Sequence, residues 1–201
     1  MFLTLDGIDG AGKSTQITLL TAWLRAAGRD VVSVRDPGST APGEAIRGLL
    51  LDSELVMHRR TEALLYMAAR SQLVEERIRP ALEAGQTVVS DRFLLANVVY
   101  QSVGGDEAPE LLWQLGHIAT GGLQPELTIL LDLPAATAFG RLTGPADRME
   151  ARGVAYLEQV REAFRNELPR SGANTCIVDA TQSVAAMQEA IRAAVMPVLH
   201  A

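Results

Sequence analysis

The stretch Thr4-Leu5-Asp6-Gly7-Ile8-Asp9-Gly10-Ala11-Gly12-Lys13-Ser14 decides the fold. From Gly7 to Ser14 it fits G-x-x-x-x-G-K-[ST], the pattern of a phosphate-binding loop. Glycines let the backbone curl until consecutive N–H groups point at a polyphosphate, and the helix that follows adds its positive N-terminal end. In such a loop Lys13 reaches the β- and γ-phosphates and the Ser14 hydroxyl holds magnesium. A glycine-rich turn can match by accident, so the flanks matter. Phe2 to Leu5 reads as a short buried strand, and Gln16 to Ala27 carries Ile17, Leu19, Leu20, Trp23 and Leu24 as a helical stripe closed by Gly28. Strand, loop and helix follow in the required order. Lys13 is also the only lysine among 18 basic residues. A chain that otherwise writes arginine keeps lysine where phosphate chemistry wants a compact ammonium.

With 201 residues, 48% of them hydrophobic, the chain can fill one sizeable core but not two, which predicts a single domain over 1–201. A formal net charge of −6 sets up no global positive field, which argues against a nucleic-acid partner and leaves anionic ligands to local arginine clusters. Cys176 is the only cysteine, which excludes an intramolecular disulfide, suits a reducing compartment and reads as a small core residue in a strand. The chain opens directly on a strand without a basic and apolar leader, and no run of about 18 apolar residues occurs. The expectation is a cytoplasmic protein with no membrane partner. His58, His117 and His200 lack ligand spacing, so no structural metal site is predicted.

Strands alternate with helices along the rest of the chain. Val31 to Val34 is a strand ending in the loop Arg35-Asp36-Pro37-Gly38-Ser39-Thr40, and Gly43 to Leu51 is helical. Polar groups at a strand's carboxyl end stand where open parallel sheets place ligands; the competing reading of Arg35 and Asp36 is an exposed turn pair. Arg60 to Ala84 reads as one long helix closed by Gly85, with Tyr66 and Arg70 four residues apart on one face. That pair could stack on and hydrogen-bond a base, or Tyr66 could be core and Arg70 a solvated rim charge. Gln86 to Ser90 is a buried strand followed by Asp91-Arg92, a magnesium-side carboxylate and a phosphate fork if the site lies there, with a structural ion pair as the competing reading. Asn97, Tyr100 and Gln101 follow on a short helix. Glu107 to Ala119 is a helix in which Trp113 and Leu115 pack, against the core or against another copy. Leu127 to Leu133 is the clearest strand, followed by Pro134 and a short helix. Arg141 to Gly153 is broken by Gly144 and Pro145 and populated by arginines, a candidate lid over about 142–153. A helix from Ala155 to Leu168, a strand from Thr175 to Val178 and a helix from Val184 to Val195 complete a five-stranded, parallel α/β sheet with helices on both faces.

Six segments in this order resemble the thymidylate kinase family, whose members phosphorylate dTMP to dTDP. They are the phosphate loop with Asp9, Asp36-Pro37-Gly38, Leu65 to Arg70, Asp91-Arg92-Phe93 with Asn97 and Tyr100-Gln101, Ala119 to Pro125, and Asp147-Arg148-Met149-Glu150. The resemblance covers nearly the whole chain and implies a P-loop, nucleoside-monophosphate-kinase-like fold with a short lid, ATP as donor with Mg2+, and a homodimer built from helices. It implies donor contacts along Gly7, Ile8, Asp9, Gly10, Ala11, Gly12, Lys13, Ser14 and Thr15, with Ser14 and Asp91 on the metal side. Tyr66 is implied to stack on thymine, Arg70 and Asn97 to meet the base, and Arg92 to hold the dTMP phosphate. Tyr100 is implied to lie under the deoxyribose, with Gln101 beside it. Asp9 belongs near the sugar 3′-hydroxyl and magnesium, and Asp36 beside the acceptor phosphate.

The acceptor is already an oxyanion, so transfer needs alignment and charge neutralisation rather than a general base. Lys13, Arg92 and a lid arginine suit that task. Departures from the family pattern are Gly10 where some members carry arginine, Thr143 where bacterial lids carry one, Ser39, Phe93 and Ala96. Arg148 is the expected replacement, with Arg141 as the alternative. A kinase for another nucleotide or a deoxynucleoside, and a nucleotide-binding protein with weakened transfer, remain open at this point.

Overall fold

Short runs of β-branched and aliphatic residues build the sheet. The computed structural model describes residues 1–52, 54–105, 107–141 and 153–199. β1 (Phe2–Asp6) is buried at every position, while β3 (Thr87–Asp91) and β4 (Leu127–Asp132) are buried at all but their last residue. That is the pattern of parallel strands covered on both faces. With β2 (Val31–Arg35) and β5 (Asn174–Asp179) they form a sheet in the order β2-β3-β1-β4-β5, every pairing parallel.

Side chains alternate across this sheet with the two-residue period of a strand. Phe2, Val34 and Val88 enter one hydrophobic cluster, and Leu3, Leu5 and Val89 enter the other. The second cluster is closed by α1 (Lys13–Ala26), α8 (Val154–Glu167) and α9 (Val184–Leu199) through Leu20, Leu24, Val160, Phe164 and Ile191. The first is closed by α3 (Arg59–Leu73) through Ala63, Met67 and Leu73. α5 (Leu94–Ser102) serves both, sending Leu95 and Val99 one way and Leu94 and Val98 the other. The expected α/β architecture with helices on both faces is therefore present. α2 (Ala41–Leu51) starts on Thr40, whose hydroxyl accepts from the Gly43 N–H, and α6 (Pro109–Thr120) starts with proline at its first position.

One expectation needs correction. The helix expected over 60–84 is interrupted: α3 passes through a π turn, Val74–Ile78, before a short α4, Arg79–Glu83. A π turn absorbs one extra residue, which hydrophobic periodicity does not register. Around it, Arg77 donates to the Ser39 carbonyl and Arg79 to the Thr120 carbonyl, each at 3.3 Å. Cys176 does lie in a strand, the edge strand β5, where it is partly buried and packed against the core cluster that holds Leu3 and Leu5. Among the described residues no helix is long and apolar enough to cross a membrane.

Parallel pairing puts all five carboxyl ends on one edge of the sheet. β1 lies between β3 and β4, so the loop that leaves β1 sits above the crevice where open α/β sheets bind ligands. The loops after β2 and β3 reach the same edge.

Candidate active site

The loop from Gly7 to Gly12 turns directly into α1. Gly7 has φ +140°, and a Cβ there would lie 2.5 Å from the Leu131 carbonyl oxygen, so only glycine fits between this loop and β4. Ile8 and Ala11 are buried beneath the loop. No side chain caps α1, so its first-turn N–H groups stay open toward an anion above the loop. Lys13 lies back along the loop, donating to the Gly7 and Ile8 carbonyls at 3.0 Å each and to Asp9 at 3.2 Å. Ser14 and Thr15 are exposed at the rim.

A cavity of about 380 Å³ opens over this loop. Asp9, Gly10, Gly12, Lys13, Ser14 and Thr15 line it from β1 and α1, Asp36 from the end of β2, Asp91 and Arg92 from the end of β3, and Arg141 from α7 (Ala135–Arg141). Arg35 and Arg47 complete it. The loop and the Asp91-Arg92 pair, 77 positions apart between Ser14 and Asp91, thus face one space because β1 and β3 are hydrogen-bonded neighbours, with Leu5 opposite Asp91.

Asp9 joins the two sides, accepting from Lys13 and, at 2.7 Å, from Arg92. Burial would raise the Asp9 pKa, but Arg92 and Lys13 outweigh it and hold the carboxyl well below the usual carboxylate range. Lys13 is lowered by burial and by Arg92. Burial also works against the charge of Arg92, yet Tyr100, Asp9, Asp6 and Asp91 keep the guanidinium firmly protonated. Its guanidinium lies 5.1 Å from the centre of the Tyr100 ring, and burial raises the Tyr100 hydroxyl. Arg92 itself adopts φ +65°, an unusual conformation for a side-chain-bearing residue at a strand end.

Behind Asp36 lies a buried polar cluster. Arg70 is 1% exposed. It donates to Asp36 at 2.6 Å, to the Asn97 side-chain oxygen at 2.8 Å and to the Phe93 carbonyl at 3.3 Å. The rim-charge alternative for Arg70 is thereby excluded, and the exposed turn pair divides: Asp36 is buried, while Arg35 is exposed and paired with Glu44. Asp36 is raised by burial, with Arg70 opposing. Fastening the Asn97 oxygen to Arg70 leaves its Nδ2 as a donor without a partner. Asp36 Oδ1 and both amide atoms of Gln101 are likewise buried without one. Together they leave both donors and acceptors unsatisfied on the acceptor side of the protein. Tyr66 is partly buried on the same face of α3, with its hydroxyl raised by burial.

α7 covers the other side of the loop. Gly10 adopts φ +81°, and a Cβ there would press on the Ala138 carbonyl oxygen at 3.0 Å, so any side chain at position 10 strains the loop against this helix. Arg141, at the end of α7, donates to the Gly10 carbonyl at 3.4 Å and the Ala180 carbonyl at 3.3 Å. Arg148 and the rest of the candidate lid, 142–152, lie outside the described residues.

Two residues of the site escaped the sequence reading. Arg47 on α2 enters the cavity and donates to the Pro37 carbonyl at 3.1 Å; its signal was the single cation on a helix that follows a strand-end loop. Asp6 ends β1, fully buried, with its pKa pushed up to about 7 by burial against Arg92 and Lys13. Its signal was a carboxylate in a strand otherwise free of charge.

Comparison with known proteins gives one family. A family model described as Thymidylate kinase matches residues 5–191. The chain is 56% identical to the thymidylate kinase of Rhodopirellula baltica over 191 residues, spanning 95% of this chain and 78% of that protein. It is 43% identical to that of Bifidobacterium longum over 195 residues, 95% of both chains. It is 40% identical to that of Thermosipho africanus over 185 residues, 92% of both.

Proposed function

The chain belongs to the thymidylate kinase family, and from that membership we infer that it transfers the γ-phosphoryl group of ATP to dTMP, giving dTDP. The observation that carries this inference on the chain's own residues is the single cavity that joins the phosphate loop to Arg92, Asp36 and Arg47. It offers one anion the loop amides and Lys13, and a second anion a pair of guanidinium forks opposite.

In this proposal the donor lies along Gly7 to Thr15, and Lys13 leaves its loop carbonyls to meet the β- and γ-phosphates. The acceptor phosphate takes Arg92 and Arg47, while Asp9 fixes the spacing between Lys13 and Arg92. The thymine edge meets the Asn97 amide and Gln101; Arg70 acts mainly by holding Asn97 and Asp36, since most of its N–H groups are already used. Tyr66 covers the base, and Tyr100 lies under the sugar. Arg141 or Arg148 reaches the transferring group. Each well-placed cation lowers the barrier by on the order of 3 kcal/mol, by analogy with single oxyanion donors.

Kinases of this family work with a divalent metal, and the residues fit one: the Asp91 Oδ1 is buried without a partner beside the loop, and Ser14 offers its hydroxyl at the rim. We assign Ser14 and Asp91 to Mg2+, which when bound neutralises charge on the donor phosphates. We further propose that residues 1–201 act as one kinase unit, as a cytoplasmic homodimer. Leu64 on α3 and Leu111 and Ile118 on α6, exposed by 50%, 43% and 77%, support an apolar helix-to-helix interface. Light scattering that returned only monomer would remove the dimer.

The test of activity is ADP production with dTMP, dUMP, dCMP, dGMP, UMP and thymidine as acceptors. dTMP is expected to give the highest kcat/KM; ATP consumption no faster with dTMP than without it would refute the assignment.

A further inference from the structure

Asp6 and Arg92 meet where two paired strands end. The ladder between β1 and β3 closes with Leu5 opposite Asp91, so the next residues of the two strands are Asp6 and Arg92. The Arg92 N–H still donates to the Leu5 carbonyl at 3.0 Å, which keeps the two backbones side by side. Asp6 is fully buried and stands outside the cavity, whereas Arg92 lines it with its side chain 17% exposed. Both Asp6 carboxylate oxygens and the Arg92 Nη1 are buried without a hydrogen-bond partner among the described residues.

Two cations attract Asp6, Arg92 the more strongly, and only Arg92 has a group to spare. Lys13 spends its ammonium on the Gly7 and Ile8 carbonyls and on Asp9. Arg92 uses Nη2 on Asp9 and the Tyr100 hydroxyl, which leaves Nη1 over. Asp91 and Asp36 repel Asp6, and the attraction of the cations offsets only part of the cost of burial. For the fold alone an apolar residue would serve the end of β1 better. What the carboxylate supplies is direction. With Nη1 drawn inward by Asp6 and Nη2 held by Asp9, the planar guanidinium is fixed from two sides, as a fork that must meet a phosphate requires. The φ of +65° at Arg92 agrees, since such a backbone persists only where its surroundings over-determine it.

We propose that Asp6 is a positioning residue for Arg92. Its buried charge anchors the Nη1 end of the guanidinium and so sets the direction in which the rest of the fork meets the acceptor phosphate, a role that rests on the assignment of Arg92 to that phosphate. A charge that weakens the fold is then kept for what it does to a neighbour.

The test is calorimetric titration of dTMP, and of thymidine, which lacks the phosphate, into wild type, Asp6→Asn, Arg92→Met and the double variant at pH 8.5. Arg92→Met keeps the stem and removes the fork; it should lose about 100-fold in dTMP affinity and little in thymidine affinity. Asp6→Asn should lose about tenfold for dTMP, the lower end of the cost of removing a partner behind a ligating group, with thymidine unchanged. Once Arg92 is gone the change at Asp6 should have no further effect, so the double variant binds dTMP as Arg92→Met does. Urea denaturation is the second readout: Asp6→Asn is at least as stable as wild type, whereas a merely structural role would make it less so. An unchanged dTMP affinity in Asp6→Asn overturns the proposal, as does a tenfold loss that persists without Arg92, an equal loss for thymidine or a less stable variant. If Arg92→Met does not fold, the two ligands and the denaturation of Asp6→Asn decide alone. Unchanged dTMP affinity in a folded Arg92→Met overturns instead the assignment of Arg92 beneath it.

Discussion

Replacing Asp6 by asparagine should stabilise the nucleotide-free protein, and the gain should depend on pH. The carboxyl is fully buried and its pKa rises from the ordinary 3.8 to about 7. The folded-state value lies above the unfolded one, so the unfolded chain gives up this proton first, near pH 4, and ionising the folded state costs free energy. The penalty is absent below about pH 4, grows between about pH 4 and pH 7, and is constant above that. At about 1.36 kcal/mol per pKa unit it reaches about 4 kcal/mol. Asparagine has the shape of the neutral acid and carries no charge at any pH. Urea denaturation without nucleotide should find Asp6→Asn and wild type within about 1 kcal/mol of each other near pH 4. By pH 8.5 the variant should be more stable by up to about 4 kcal/mol. A difference that does not change with pH, or a wild type that is the more stable at pH 8.5, would refute the claim that Asp6 is an uncompensated charge.

Three other outcomes follow from the same geometry. Lys13→Ala should reduce transfer by at least about 100-fold while dTMP affinity holds, because Lys13 contacts only the loop side of the cavity; calorimetry showing lost dTMP binding contradicts that. Tyr100→Ala should narrow the preference for dTMP over its ribose counterpart by about tenfold, and an unchanged ratio of kcat/KM values removes Tyr100 from the sugar site. Arg70→Ala leaves Asp36 buried without its ion pair and should destabilise the protein by about 3–5 kcal/mol in urea denaturation; a loss under about 1 kcal/mol would mean that the Arg70 to Asp36 pair does not organise the acceptor side.

Much of the fold was legible because its signals are local. The loop glycines, the helical stripe after Ser14 and the buried strand runs depend on neighbours a few residues away, and each strand and helix lies within a few residues of its expected place. The π turn at Val74–Ile78 was not legible, since one extra residue in a helix leaves the apolar spacing on either side almost intact. The site divided in the same manner. Lys13, Ser14, Asp91 and Arg92 announced themselves by position, at the carboxyl ends of strands. Arg70 did not: its spacing from Tyr66 gave a shared helix face but not its burial, which depends on Asp36 arriving from β2 and Asn97 from α5. Arg47 and Asp6 gave only faint signals, the one cation on a short helix and the one carboxylate in a buried strand.

By itself, then, the sequence determined a glycine-rich strand, loop and helix at Gly7 to Ser14 on a parallel sheet, because backbone curvature and strand burial are written in adjacent residues. Only the tertiary structure decided what faces that loop. Pairing β1 with β3 sets Asp91 and Arg92 across from Lys13, the close approach of α7 crowds Gly10 and brings Arg141 to its carbonyl, and burial leaves the Asp6 carboxylate without a hydrogen-bond partner. Those are contacts between residues tens of positions apart, and their energies are set by desolvation and distance, which exist only once the chain has folded.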